Sequence, residues 1–340
     1  MYLYTEEASA FNWSVDDESY DSEWDTDDST AIILNHLPVP TISLICYSLT
    51  FVVGIVGNSL VIWIAGFKMK SISAVWFFNL AVTDLICNIA LLLRITEGAL
   101  YILEEWIFRH AICKISTPLM FFNMLSSVYF LTVISIDRCV SIMWPLWSKV
   151  HRSHRLAKIV SVVIWLLSLI ITLPHVVFYN TVDDMSDCYP KYTGADKEIY
   201  RNSVSVILST KLASMFVVPF LIFVVCYGLI SVKMTIIKRS GRPQRTFKVI
   251  AAIVLCFFIC WCPYNIWPLI ILSDEYSDID YLVSEICYCL AYANSCLNPI
   301  IYVLFCKEFK DSLRKAIVLT KSKKLEPLDL NEDGCMNELL

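Results

Sequence analysis

A few ionisable side chains lie inside long apolar stretches of the sequence, where burial of a charge is costly unless the charge has a partner. Asp84 lies in LAVTDLICNIA, Arg94 follows ten residues later, and Lys211 precedes a run of Val, Phe, Leu and Ile. Asp137 and Arg138 end another apolar stretch. In hydrocarbon such groups pair with one another, hold an ion or face a ligand. Asp84 alone is equally consistent with a neutral hydrogen-bonded carboxyl group and with an ion site.

The sequence predicts no enzyme, because it contains no catalytic triad, metal cluster or phosphate-binding loop. It also predicts no nucleic-acid partner. Of its 340 residues 57% are apolar and only 17% are charged, which is typical of a membrane protein. Seven nearly uncharged stretches are long enough for a hydrocarbon core of roughly 30 Å. They cover residues 38 to 67, 74 to 103, 111 to 136, 156 to 179, 202 to 232, 249 to 273 and 286 to 306.

The seven spans are predicted to be helices, because lipid offers no partners to unpaired backbone groups and barrel strands would be short and alternating. The predicted fold class is therefore an all-α membrane protein with a seven-helix transmembrane domain over residues 38 to 306. After it, Phe309, Leu313 and Ile317 alternate with Lys and Arg. This pattern predicts a short amphipathic eighth helix on the membrane surface over 307 to 318, in contact with lipids, followed by a tail over 319 to 340.

Charge predicts the orientation of the bundle. Residues 68 to 70, 138 to 158, 233 to 248 and 307 to 324 hold 20 of the 27 Lys and Arg residues, which places them on the cytoplasmic side. Residues 1 to 37 carry ten Asp or Glu and no Lys or Arg, so we expect a disordered extracellular tail. Asn12 in that tail is a glycosylation sequon, and Tyr20 has the acidic setting of tyrosine sulfation.

Three motifs stand in order on their spans: Asp137-Arg138-Cys139, Cys260-Trp261-Cys262-Pro263 and Asn298-Pro299-Ile300-Ile301-Tyr302. Together they resemble the rhodopsin-like class of G-protein-coupled receptors. The resemblance extends over residues 40 to 317 and includes four further signals: Asn58, Asp84, Trp165, and Pro219 with Tyr227.

The resemblance implies an activation switch. Arg138 would pair with Asp137 at rest and become exposed when the sixth helix swings about Pro263, opening a cavity for a G protein. Tyr227 and Tyr302 would hold the open form, with Asn298 and Pro299 in the same motif. Trp261 would couple the ligand to the swing, although a large apolar filler is the alternative reading.

The resemblance also implies two structural sites. One is a possible sodium site, for which oxygen-rich side chains suit a hard cation: Asp84, Asn123, Ser127, Asn294 and Ser295. No other cofactor is expected. The second is a disulfide between Cys113, at the outer end of the third span, and Cys188 in the longest outer loop.

Three segments narrow the resemblance to the chemoattractant receptors, a group that includes the chemerin, formyl-peptide and anaphylatoxin receptors, with the chemerin receptors the most similar. They are DRCVSIMWPLWSKVHR, LVIWIAGFKM with VWFFNLAVTD, and GRPQRTFKVIAAIVLCFFICWCPY. The implied function is a plasma-membrane receptor for a chemoattractant peptide or small protein. It would signal through an inhibitory-class G protein in cell migration and inflammation.

Lys211 stands where chemerin and formyl-peptide receptors carry a pocket Arg. We expect Lys211, with Arg94, to pair with the C-terminal carboxylate of a peptide, although both cations could instead snorkel to lipid headgroups. We also assign Tyr264, Tyr288 and Glu285 to the candidate ligand pocket.

Two other functions stay open. A scavenger of the same fold would bind ligand without G-protein signalling, and the tail offers arrestin only Ser312, Thr320 and Ser322 as hydroxyl sites. A seven-helix transporter or proton pump would use Asp84, but paired halves with matching broken helices are not evident.

Overall fold

The computed structural model describes residues 38–69, 71–102, 109–181, 188–190, 205–206, 208–209, 211–237, 242–270, 278–305 and 314. The predicted acidic tail with Asn12 and Tyr20 lies outside the described residues. So do the predicted cytoplasmic tail over 319 to 340 and, apart from Arg314, the predicted eighth helix.

Seven long helices form the described part of the protein, as predicted, and their bounds are as follows. They are α1 (Pro38–Trp63), α2 (Ile72–Ile102), α3 (Arg109–Met143), α4 (His154–Phe178), α5 (Val218–Ile237), α6 (Arg242–Ile270) and α7 (Asp278–Phe305). A short helix, Pro145–His151, joins α3 to α4 and is called the loop helix below.

The outward-facing surfaces of the helices are apolar, as contact with lipid requires. Six of them are long and apolar enough to cross a membrane. Large apolar side chains point away from the bundle, such as Leu49, Ile170 and Ile259, each more than 60% exposed. The polar side chains lie inside instead, as they do in α7, where Asn294 and Asn298 are buried. This is the arrangement expected of a bundle whose solvent is hydrocarbon.

Small residues let α1 approach its neighbours closely. A Cβ atom built on Gly57 would lie 2.7 Å from Cβ of Pro299 in α7, and one on Gly54 would overlap the side chain of Asn88 in α2. Next to Gly57, Asn58 donates to the backbone oxygen of Ser295 at 2.8 Å. Close packing and a buried hydrogen bond therefore fix α1 against α7.

Prolines interrupt the helices near the candidate sites. Pro263 and Pro268 lie inside α6, and Pro299 lies inside α7. Pro219 follows a π-helical turn over Ala213–Val217, in which the N–H of Val218 bonds to the oxygen of Ala213. The wide turn inserts one residue before the proline, and such turns occur frequently at functional sites.

One element outside the bundle was not predicted. Beyond α4, strand β1 (Tyr179–Thr181) pairs antiparallel with β2 (Cys188–Pro190), with Thr181 opposite Cys188. Each strand has only three residues, too few for alternation to be recognised in the sequence. The all-α prediction holds for the bundle, and this hairpin lies beyond the C-terminal end of α4.

We expect Gly57→Ala to destabilise the bundle by about 1–3 kcal/mol, because the new methyl group meets the rigid ring of Pro299. Gly228→Ala is the matched control, since nothing lies within 4 Å of a Cβ at that helical position. Thermal unfolding of detergent-solubilised protein, followed with a thiol-reactive fluorophore, measures both. Equal midpoints for the two variants would show that α1 and α7 have room at this contact.

Candidate functional site

The outer part of the candidate site is built around Lys211, which lies just before the π-helical turn of α5. Its Nζ atom lies 5.1 Å from the ring centroid of Phe121 in α3 and 4.8 Å from that of Tyr264 in α6. Lys211 is half-buried, and Phe121 is buried. Contacts with rings of two other helices mean that the ammonium group faces the interior of the bundle and not the lipid.

The second cation, Arg94 of α2, also faces inward. Its guanidinium carbon lies 5.4 Å from the ring centroid of Tyr288 in α7. The rings of Tyr288 and Tyr264 meet edge to face with centroids 5.5 Å apart. Two aromatic rings therefore connect the two cations across four helices. The structure thus brings together four of the five residues assigned to the candidate ligand pocket from sequence.

Glu285 of α7 is the acidic residue assigned to the candidate pocket from sequence. Its Oε2 atom accepts a hydrogen bond from the hydroxyl group of Tyr47 in α1 at 3.1 Å. Sequence analysis did not single out Tyr47, because a tyrosine in an apolar span is an ordinary filler until its partner is known. The carboxylate of Glu285 therefore joins α7 to α1.

Aromatic side chains continue from the pocket toward the centre of the bundle. The rings of Tyr264 and Trp261 meet edge to face with centroids 5.6 Å apart, and Phe257 follows at 6.2 Å from Trp261. Trp261 is fully buried two residues before Pro263. Asn265, one turn away, donates to the backbone oxygen of Trp261 at 2.8 Å and contacts Sδ of Met124 in α3 at 3.5 Å. Tyr264, Trp261 and Phe257 therefore form a continuous row of packed aromatic side chains in α6.

Asp84 of α2 lies at the centre of the bundle and is fully buried. Its Oδ2 atom accepts a hydrogen bond from Asn298 of α7 at 2.7 Å, and Oδ1 accepts one from Asn123 of α3 at 3.3 Å. Asn123 also donates to Ser127, whose hydroxyl group lies 3.3 Å from that of Thr83. The carboxylate thus ties three helices together.

Several buried polar atoms on α3 and α7, the two helices that donate to Asp84, have no hydrogen-bond partner among the described residues. They belong to the residues predicted from the resemblance and to one neighbour: both side-chain atoms of Asn294, Oγ of Ser295, Oδ1 of Asn123 and Oδ1 of Asn298. Unpaired buried oxygens are costly, and together with a carboxylate they suit a hard cation. The residues present therefore fit a sodium ion. In the described part of the chain no group of three or more His, Cys, Asp or Glu could hold a metal.

The inner part of the site surrounds Asp137 and Arg138 at the end of α3. Arg152, which follows the loop helix, donates to Asp137 through Nε to Oδ1 at 2.6 Å and through Nη2 to Oδ2 at 2.7 Å. Arg138 donates to Oγ of Ser73 in α2. The pairing of Arg138 with Asp137 stays a prediction, and the partner that the structure shows for Asp137 is a second arginine.

Two tyrosines of the predicted switch lie near this inner end. Tyr302 of α7 is buried, and its ring lies 4.9 Å from that of Phe77 in α2, centroid to centroid. Tyr227 of α5 is half-buried. Their inward turn on activation stays a prediction.

The disulfide prediction falls on side chains outside the described residues. Cys113 lies near the start of α3 and Cys188 begins β2. Ten other cysteines, all within the described helices, are free thiols. This agrees with reading most cysteines of the chain as small apolar residues.

Sequence reasoning missed Arg152 and Ser73, because both stand in polar segments where charged and hydroxyl side chains are ordinary. It also missed the bond from Trp165 Nε1 in α4 to Oδ1 of Asn79 in α2, 2.9 Å long. The spacing of residue types in the sequence does not predict such contacts, because the two partners lie on elements that are far apart in the chain.

The chain is similar to known proteins over most of its length. Residues 57–302 match the family model described as 7 transmembrane receptor (rhodopsin family). The C3a anaphylatoxin chemotactic receptor of Danio rerio is 32% identical over 319 residues, covering 93% of this chain and 86% of that protein. Human chemerin-like receptor 1 is 38% identical over 285 residues, 78% of this chain and 75% of the relative. Human N-formyl peptide receptor 3 is 33% identical over 303 residues, with coverages of 83% and 84%.

Proposed function

The chain belongs to the rhodopsin family of seven-transmembrane receptors, in its chemoattractant group, and on that premise we propose a specific role for it. It is a plasma-membrane receptor for a peptide or small protein, with its N-terminus outside the cell. It signals through an inhibitory-class heterotrimeric G protein to direct cell migration and inflammatory responses. Members of this family are receptors and not enzymes.

The inward position of Lys211 is the single observation that carries this proposal. A half-buried ammonium group held on Phe121 and Tyr264 is only partly hydrated, so an entering carboxylate gains more from pairing with it than it would in water. Arg94 adds a second positive charge in the same pocket. A peptide that ends in a free carboxylate is the ligand class that best matches these charges.

The aromatic chain provides the route from ligand to switch. A carboxylate that pairs with Lys211 weakens the contact of its Nζ atom with Tyr264, whose ring packs on Trp261. Trp261 lies two residues before Pro263, where the proline leaves a gap in the helical hydrogen bonds. The inner half of α6 swings outward about that point and exposes Arg138 to the G protein.

The relatives support the ligand class. Their names refer to chemerin, to the anaphylatoxin C3a and to N-formyl peptides. A lysine offers a compact point charge and not the planar fork of an arginine, so we expect one strong ionic hydrogen bond to the ligand. The acidic residues 1 to 37 attract the basic body of such a ligand and raise its rate of association.

The function is tested with receptor in lipid nanodiscs and a purified inhibitory-class G protein. The probes are synthetic peptides with the C-terminal sequences of chemerin and C3a, and a formylated peptide. We expect at least one of them to accelerate nucleotide exchange. Ligand binding without any exchange would favour the scavenger, and flux through reconstituted vesicles would favour the transporter.

The role of Lys211 is tested by comparing an active peptide with its C-terminal amide. We expect the amide to be about tenfold weaker on the wild type, because a charge-assisted hydrogen bond is lost. On Lys211→Gln the acid should fall to the potency of the amide, while the amide changes little. Lys158→Gln, at an exposed position near the start of α4, is the matched control. A difference between acid and amide that persists in Lys211→Gln would contradict the assignment.

We further propose that the centre of the bundle binds sodium in the resting receptor. Asp84, Asn123, Ser127, Asn294 and Ser295 would hold the ion, which would supply a positive charge opposite the buried carboxylate. The unpaired oxygens on α3 and α7 support this site. The five residues lie on α2, α3 and α7, so a bound ion would join the three helices and oppose the rearrangement that an agonist requires.

Replacing choline chloride by sodium chloride should raise the thermal unfolding midpoint of the wild type and weaken agonist binding. An ion at 100 times its Kd stabilises by about 2.7 kcal/mol. We expect Asp84→Asn to abolish both effects, because the carboxylate charge is lost. A midpoint that still rises with sodium in Asp84→Asn would place the ion elsewhere.

A further inference from the structure

Two thiol groups meet between α3 and α5 near the inner end of the bundle. Cys139 of α3 and Cys226 of α5 are free cysteines, 5% and 7% exposed, and are called the thiol pair below. Their thiol groups are hydrogen-bonded to each other. With Ile230, one turn further along α5, they form a small buried cluster that is separate from the main core. Contact between two thiols on different helices is the arrangement from which a disulfide can form.

The thiol pair lies next to two residues of the predicted switch. Cys139 follows Arg138 directly in the chain, and Cys226 directly precedes Tyr227. The two helices therefore touch through the immediate neighbours of the switch residues. A bond between the two sulfur atoms would fix this turn of α5 against the end of α3.

The thiol pair belongs to the cytoplasmic half of the predicted topology, where thiols are normally kept reduced. Disulfides that form in that compartment are usually transient and respond to oxidants. Burial keeps large reagents away from a thiol, but hydrogen peroxide is small and neutral. Met143 of α3 and Met234 of α5 pack against the pair and are only half-buried, so the cluster lies close to the surface of the bundle.

We propose that Cys139 and Cys226 form a reversible disulfide in the presence of peroxide, and that this bond holds the receptor in its resting conformation. Peroxide oxidises the first thiol to a sulfenic acid and is itself reduced to one molecule of water. The second thiol attacks that sulfur, the S–S bond forms, and the hydroxyl group leaves as a second water with the thiol proton. The two thiols together lose two protons and two electrons to one peroxide.

The effect on signalling rests on the proposed coupling to a G protein, whereas formation of the disulfide does not. In the proposed mechanism Tyr227 turns inward to hold the open form. A covalent bond from the preceding residue to α3 opposes that rotation of α5. The oxidised receptor is therefore expected to bind ligand without accelerating nucleotide exchange.

The disulfide is tested on receptor in nanodiscs treated with hydrogen peroxide. Remaining thiols are alkylated, and the peptides are mapped by mass spectrometry. We expect a linked pair of peptides that contains Cys139 and Cys226 and that disappears after treatment with dithiothreitol. Cys256, a half-buried thiol of α6 that packs against the main core instead, should be recovered alkylated. Oxidation of the pair to unlinked sulfinic acids would overturn the proposal, and so would recovery of both thiols alkylated.

The effect on signalling is tested by peptide-stimulated nucleotide exchange before and after oxidation. In the wild type we expect exchange to fall in proportion to the linked fraction and to recover with dithiothreitol. Cys226→Ala should keep its exchange through both treatments, which controls for oxidation of methionines and for reduction of the predicted outer disulfide. Cys256→Ala is the matched control and should respond like the wild type.

Two results would overturn the effect on signalling. One is unchanged exchange in linked wild-type receptor, and the other is an equal loss of exchange in Cys226→Ala. Cys226→Ser serves in its place if the alanine variant does not fold. A reduced wild-type receptor that shows no exchange with any peptide would instead reject the proposed function, and the peptide map would still decide whether the disulfide forms.

Discussion

Inside a membrane every polar group must find its partner within the protein, and this constraint organises the whole bundle. Three long-range hydrogen bonds satisfy it at the centre. Asn58 binds the backbone of Ser295, Trp165 binds Asn79, and Asn298 binds Asp84. Each bond joins two helices. The bonds that pair the buried polar groups therefore also fix the positions of the helices. The unpaired oxygens on α3 and α7 show where this satisfaction is incomplete, and where a small cation fits.

Charged side chains in two other parts of the bundle also have partners within the protein. The cations of the pocket lie on aromatic rings, and those rings pack in series onto Trp261. At the inner end, two arginines share one hydroxyl group, and one of them binds the only carboxylate described there. Under the proposed function, a carboxylate that binds Lys211 would change contacts that are already satisfied and so shift the equilibrium between bundle conformations.

The spans could be predicted from sequence because hydrocarbon selects long apolar helices. The bounds of α2 and α4 agree with the predicted ones within two residues, whereas α3 ends seven residues later, and α6 and α7 begin seven and eight residues earlier, than predicted. The motif residues could be placed because each stands on a known span. Contacts between distant elements were not predictable in this way. Arg152 is one of several basic residues in its segment, and Gly57 looks like any glycine of an apolar helix until Pro299 is seen beside it. The β1–β2 hairpin is too short to carry a periodic signal.

The π-helical turn before Pro219 gives this architecture a means of diversification. Such a turn is equivalent to one residue inserted into an α-helix, where each residue accounts for about 100° of rotation. Loss of that residue in a descendant gene would rotate Lys211 away from Phe121 and Tyr264 while leaving the inner half of α5 in place. Ligand preference in such receptors can therefore change through a single codon deletion, with the coupling surface inherited intact.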